Sequence, residues 1–182
     1  MPELLTPDEQ TVLLRIARET IVAHVTGSTI PVVAHPTRGL KHKHGCFVTI
    51  KQQGQLRGCI GNFVSEVPLY QLVQEMAVSA STRDPRFYPM KPADLDDFHL
   101  EISVLSPLKL IGSVESIVVG KHGLYIIKNH HRGVLLPQVA TEYGWDRETF
   151  LRHTCVKAGL PEDAWQNECE IYTFTALVFG EG

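Results

Sequence analysis

Cys46-Phe47-Val48-Thr49-Ile50-Lys51-Gln52-Gln53-Gly54-Gln55-Leu56-Arg57-Gly58-Cys59-Ile60-Gly61 is the stretch on which the fold turns. Strand-forming residues from Cys46 to Lys51 run into a glutamine-glycine turn, where Gly54 takes positive φ without steric cost, and Leu56 begins a return strand. The segment reads as a β-hairpin ending on Leu56-Arg57-Gly58-Cys59-Ile60-Gly61. Side chains alternate along a strand, so Arg57 and Cys59 would share one face while Gly58 leaves the other face bare. A positive charge beside a thiol favours the reactive thiolate, which makes Cys59 and Arg57 the candidate catalytic pair. The plainer reading of the same spacing is a small buried Cys59, glycines that serve a bend, and an Arg57 paired with a carboxylate.

Upstream of the hairpin, Thr6-Pro7-Asp8-Glu9 is a helix start: Thr6 caps, Pro7 suits the first helical position and Glu9 completes a capping box. The helix is predicted to run to about His24, with Leu13, Ile16, Ala17, Ile21 and His24 along one stripe. Pro31 and Pro36 interrupt regular structure, so this stretch reads as a loop or short extended segment. Arg38, Lys41, His42, Lys43 and His44 then decorate an exposed approach to the hairpin. On a strand, His42, His44 and Cys46 would share a face and could offer metal donors, but Gly45 breaks that alternation, and no metal site is assigned.

Downstream, Leu69, Leu72, Val73, Met76, Ala77 and Ala80 recur with helical spacing and predict an amphipathic helix. It runs into Ser81-Thr82-Arg83-Asp84-Pro85-Arg86-Phe87, a turn in which Asp84 and Arg86 either clamp an anion or pair with each other. Phe98, Leu100, Ile102 and Val104 alternate with polar residues as a half-buried strand does. Leu124 to Lys128 and Val134 to Leu136 flank Asn129-His130-His131-Arg132-Gly133, a second hairpin with a solvated tip. Pro137 opens a short helix. Asp146 caps a longer one that Gly159 stops, with Phe150, Leu151, Thr154, Cys155 and Ala158 facing inward. Ile171 to Phe179 reads as one late strand. Strands and helices mix without regular βαβ alternation, so the fold class is α+β with largely antiparallel sheets and flanking helices.

With 182 residues, 43% of them hydrophobic, the chain can bury a core without metals or disulfides, as one domain over 1–182 or as two lobes without a flexible linker. Its four cysteines are too sparse and too far apart for a disulfide scaffold or a zinc site, which favours reduced thiols in a cytosol. No leader-like or membrane-spanning run stands out, so the expectation is a soluble cytoplasmic protein. A net charge of -3 argues against general binding to nucleic-acid backbones.

The ordered series Gly45-Cys46-Phe47-Val48-Thr49-Ile50, Leu56-Arg57-Gly58-Cys59-Ile60-Gly61, Asp84-Pro85-Arg86-Phe87 and Glu101-Ile102-Ser103-Val104-Leu105-Ser106 resembles the AMMECR family. The likeness continues through His122-Gly123-Leu124, Arg132-Gly133-Val134-Leu135-Leu136-Pro137-Gln138, Gly144-Trp145, His153-Thr154-Cys155 and Lys157-Ala158-Gly159-Leu160. It departs at Lys41 to His44, where this chain carries extra histidines and lysines. The resemblance implies two unequal lobes around a cleft, with the Cys59 motif beside that cleft. Microbial members look like the first component of the AmmeMemoRadiSam grouping, which implies a Memo-like protein and a radical S-adenosylmethionine protein as partners.

Three functional readings follow. In the first, Cys59 is a nucleophile or attachment thiol, with Arg57, Gly58, Gly61, Asp84 and Arg86 holding a small anionic ligand and His44, His122 or His153 as candidate bases. In the second, the chain is a non-catalytic module that binds a small molecule or a protein, and Cys59 is structural. The third, a nucleic-acid-associated regulator, lacks an interleaved basic and aromatic stripe. The sequence names no cofactor.

Overall fold

Thr6 fixes where helix α1 (Pro7–Thr26) begins. Its hydroxyl accepts the Glu9 N–H at 3.2 Å, and the Glu9 carboxylate accepts the Thr6 N–H at 3.0 Å, so two of the helix's unpaired donors are satisfied reciprocally. The helix closes at Gly27, in the left-handed region at φ 75°. Glu9 also accepts from the Thr37 hydroxyl at 2.6 Å and the Gly39 N–H at 3.1 Å. That anchor, with Leu40 buried, turns part of the predicted loop into a single helical turn, α2 (Arg38–Lys41). This computed structural model describes residues 4–182.

Strands β1 (Cys46–Gln52) and β2 (Gln55–Asn62) pair antiparallel around Gln53 and Gly54. Both turn residues have positive φ, 52° and 75°, as a two-residue turn matched to strand twist requires. The register then slips: Lys51 faces Leu56 but Ile50 faces Gly58, which leaves Arg57 as the extra residue of a β-bulge. β3 (His99–Leu105) pairs antiparallel with the other side of β1, and β8 (Ala176–Gly180) completes a sheet ordered β2-β1-β3-β8. One face, carrying Val48, Ile50, Leu100 and Ile102, packs with α1 and with α3 (Leu69–Thr82). The predicted α3 stripe is buried throughout, from Leu69 to Ala80.

A second sheet is ordered β4-β7-β5-β6, formed by β4 (Lys109–Leu110), β5 (Gly123–Lys128), β6 (His131–Leu135) and β7 (Glu170–Phe174). Its core takes Leu124, Ile126 and Ile171 together with Phe150, Leu151 and Cys155 of α5 (Arg147–Lys157). The Asp146 carboxylate caps α5 by accepting the Thr149 N–H at 2.8 Å, and the short α4 (Pro137–Tyr143) precedes it.

Two sequence expectations are corrected here. The hairpin tip is Asn129-His130 alone, because His131 and Arg132 already pair with Lys128 and Ile127. The late strand is two strands: β7 belongs to the second sheet and β8 to the first, parted at Thr175, whose N–H the Ser106 hydroxyl accepts at 2.8 Å. Apolar alternation runs through both strands and carries no mark of the change of sheet.

The chain divides into two compact units, one running to Leu105 and taking in Leu177–Gly182, the other Ser106–Ala176. Among the described residues no helix is long and apolar enough to cross a membrane.

Candidate functional site

β2 lies at the edge of the first sheet, so its outward N–H and C=O groups lack a strand partner. At Cys59 two side chains from the turn after α3 take that place. The Asp84 carboxylate accepts the Cys59 N–H at 3.0 Å, and Arg86 Nη2 donates to the Cys59 carbonyl at 3.4 Å. Arg86 in turn grips Asp84 through Nε at 3.0 Å, Nη2 at 2.8 Å and its own backbone N–H at 3.1 Å. Asp84 is therefore saturated as well as buried, with its side chain only 2% exposed. Hydrogen bonding from Arg86, against the cost of burial and helped by the Cys59 N–H, holds its carboxyl well below the usual carboxylate range.

Because the Cys59 N–H points away from β1, Cys59 and the opposing Thr49 form a pair without ladder bonds, the kind in which side chains come closest. The Thr49 hydroxyl donates to Cys59 Sγ at 3.1 Å. Cys59 is half-buried, on the face opposite the core-facing Val48 and Ile50.

Arg57 sits at the bulge, where the strict alternation that would align it with Cys59 is interrupted. Its Nη2 donates to the Tyr88 carbonyl at 2.7 Å and lies 3.9 Å from Asp94. Phe87 lies within reach of two guanidinium groups, with Arg57 Cζ 5.9 Å and Arg86 Cζ 5.4 Å from its ring centroid. Tyr88, at the rim, is 88% exposed. The guanidinium that touches Cys59 is that of Arg86, and among the described residues its Nη1 makes no hydrogen bond.

Gly58 and Gly61 hold this geometry by what they lack. A Cβ at Gly58 would overlap the Ala80 carbonyl oxygen of α3, and one at Gly61 would overlap the Phe47 ring and the Cys46 carbonyl. Phe47 then meets Phe63 edge-on at 5.0 Å.

None of the three candidate bases is hydrogen-bonded to Cys59. His44 is half-buried, its Nδ1 is buried without a partner, and burial followed by the neighbouring His42 pulls its pKa below the ordinary range. His122 belongs to the second unit, where its Nδ1 accepts the Val118 N–H at 3.0 Å. His153, also there, stacks on Trp145 at 3.9 Å with the rings nearly parallel. Cys46 points into the core, and burial pushes its thiol up to about 12. Among the described residues no group of three His, Cys, Asp or Glu could hold a metal ion. Sequence reasoning placed Phe87 in the turn with Asp84 and Arg86 but did not single out Thr49 or Tyr88. Thr49 becomes visible only when the bulge is counted into the register.

The family model AMMECR1 matches residues 14–179. Protein MK0488 of Methanopyrus kandleri is 43% identical over 191 residues, covering 100% of this chain and 92% of its own length. A protein of Methanothermobacter thermautotrophicus is 44% identical over 186 residues, covering 97% and 96%. The crystal structure of the uncharacterized protein PH0010 from Pyrococcus horikoshii superposes with a TM-score of 0.86 at 38% identity, covering 98% of this chain and 94% of that one. The extent and identity of these matches establish that the chain belongs to the AMMECR1 family.

Proposed function

We propose that the open face around Cys59 is a thiol site for an anionic group. Cys59 Sγ acts as the nucleophilic or attachment atom, Thr49 donates to it, and Arg86 and Arg57, both near Phe87, anchor the anion. The observation that carries this reading is the contrast among the cysteines. Cys46 and Cys155 are sealed in the two cores, whereas Cys59 is half-buried, faces away from the core and has its backbone pinned by the Asp84–Arg86 pair. A pinned backbone fixes the sulfur in place, which is what a reacting atom needs. The likeness to the AmmeMemoRadiSam grouping adds the setting: a cytosolic redox or modification pathway, with a Memo-like protein and a radical S-adenosylmethionine protein as partners.

A second reading rests on Tyr88. An exposed tyrosine beside two arginines and a phenylalanine has the composition of a protein-binding hot spot, and Cys59 would then be structural. The two readings differ in how the thiol treats charge. We compare alkylation of Cys59 by iodoacetate, an anion, with alkylation by neutral iodoacetamide, scored by peptide mass spectrometry. The expected rate ratio at Cys59 exceeds that of a free thiol by about tenfold and falls when Arg57→Gln removes one guanidinium. A ratio equal to that of a free thiol in both proteins overturns the anion site and leaves the protein-binding reading.

A further inference from the structure

The second unit has a cavity of about 280 Å³ in which hydrogen-bond donors converge and no carboxylate takes part. Lys109 faces Thr173 across β4 and β7, and Thr173 faces Leu124 across β7 and β5. Directly opposed residues project to the same side of a sheet, so the Lys109 and Thr173 side chains lie on the face that carries buried Leu124, at the margin of the core. Thr173 is only 4% exposed as a residue and lines the cavity, and its hydroxyl, which has no hydrogen-bond partner among the described residues, is not one of the buried unpaired atoms and so reaches open space. A hydroxyl that reaches open space there is free to donate to water or to a ligand.

His122 lines the same cavity. Its Nδ1 accepts the Val118 N–H, and a nitrogen that accepts carries no proton, so the neutral ring keeps its hydrogen on Nε2 as its one donor. Burial, then Lys121 and Lys109, pulls its pKa below the ordinary range, which favours the neutral ring. Neither lysine forms an ion pair among the described residues. Ser113 Oγ already accepts the Glu115 N–H and so has its proton to give.

We propose that this cavity binds the oxyanion head group, phosphate or carboxylate, of a small metabolite-sized molecule. Lys109 supplies the charge, and His122 Nε2, Thr173 and Ser113 supply oriented donors. The site is separate from the Cys59 face and stands or falls independently of it.

The test uses the whole protein, isotopically labelled, with its backbone amides followed by NMR as inorganic phosphate is added against sodium chloride of equal ionic strength. Saturable shifts at Gly112, Ser113, His122 and Thr173 with phosphate but not chloride are expected. Lys109→Gln and the near-isosteric Thr173→Val should each weaken binding about tenfold, with the resonances of the second unit away from the cavity unchanged as proof of folding. Glycerol phosphate and lactate, titrated in parallel, identify the preferred head group by the tighter binding. Shifts that fail to saturate, that chloride reproduces, or that keep the same affinity in both variants overturn the proposal.

Discussion

Asp84 is where the account is most exposed at the scale of one residue. Its buried carboxylate is the acceptor for an edge-strand amide and for the arginine two residues on. Asp84→Asn keeps the shape but turns one oxygen into a donor facing other donors, and should cost about 2 kcal/mol, read by urea unfolding. The folded carboxyl lies below its unfolded value of 3.8, so its contribution is fully present above that value and is lost as pH falls beneath it. The unfolding midpoint of the parent protein should therefore fall more steeply than that of Asp84→Asn as pH drops from neutral to about 3, and parallel curves would remove the pair from the stability account. The sequence showed Asp84 and Arg86 sharing a turn. It could not show that both carboxylate oxygens are used internally, because that depends on β2 being an edge strand and on where its Cys59 N–H points.

Among the elements, those with local signals were the legible ones. Thr6, Pro7 and Glu9 are close in sequence and form their reciprocal bonds whatever surrounds them. Thr6→Ala should cost about 1 kcal/mol by thermal unfolding, and an unchanged melting temperature would mean that the capping box does not hold α1. The α3 and α5 stripes were equally legible, since a period of 3.6 is printed in the sequence itself. What escaped was non-local. α2 exists because Glu9 reaches across to Thr37 and Gly39. The bulge at Arg57 moves Thr49 from opposite Gly58, where an unbroken two-residue hairpin would put it, to opposite Cys59. One extra residue thus decides which side chain donates to the candidate sulfur.

At the scale of the whole molecule, the α+β class and the antiparallel sheets follow from strand patterns joined without βαβ alternation, and both were readable. The assignment of β7 and β8 to different sheets was not, because a single alternating run satisfies either arrangement. Each unit has its own sheet and its own core, so each seals one cysteine: Cys46 in the first and Cys155 in the second. Cys169 and Cys59 are left half-buried, and burial pushes the Cys169 thiol up. The four thiols of one folded chain therefore serve as controls for one another. The most direct measurement is peptide mass spectrometry after brief exposure of the native protein to iodoacetamide. Label should accumulate on Cys59 about tenfold faster than on Cys169, with Cys46 and Cys155 untouched until unfolding; labelling of Cys59 only in step with the two core cysteines would contradict the thiol site.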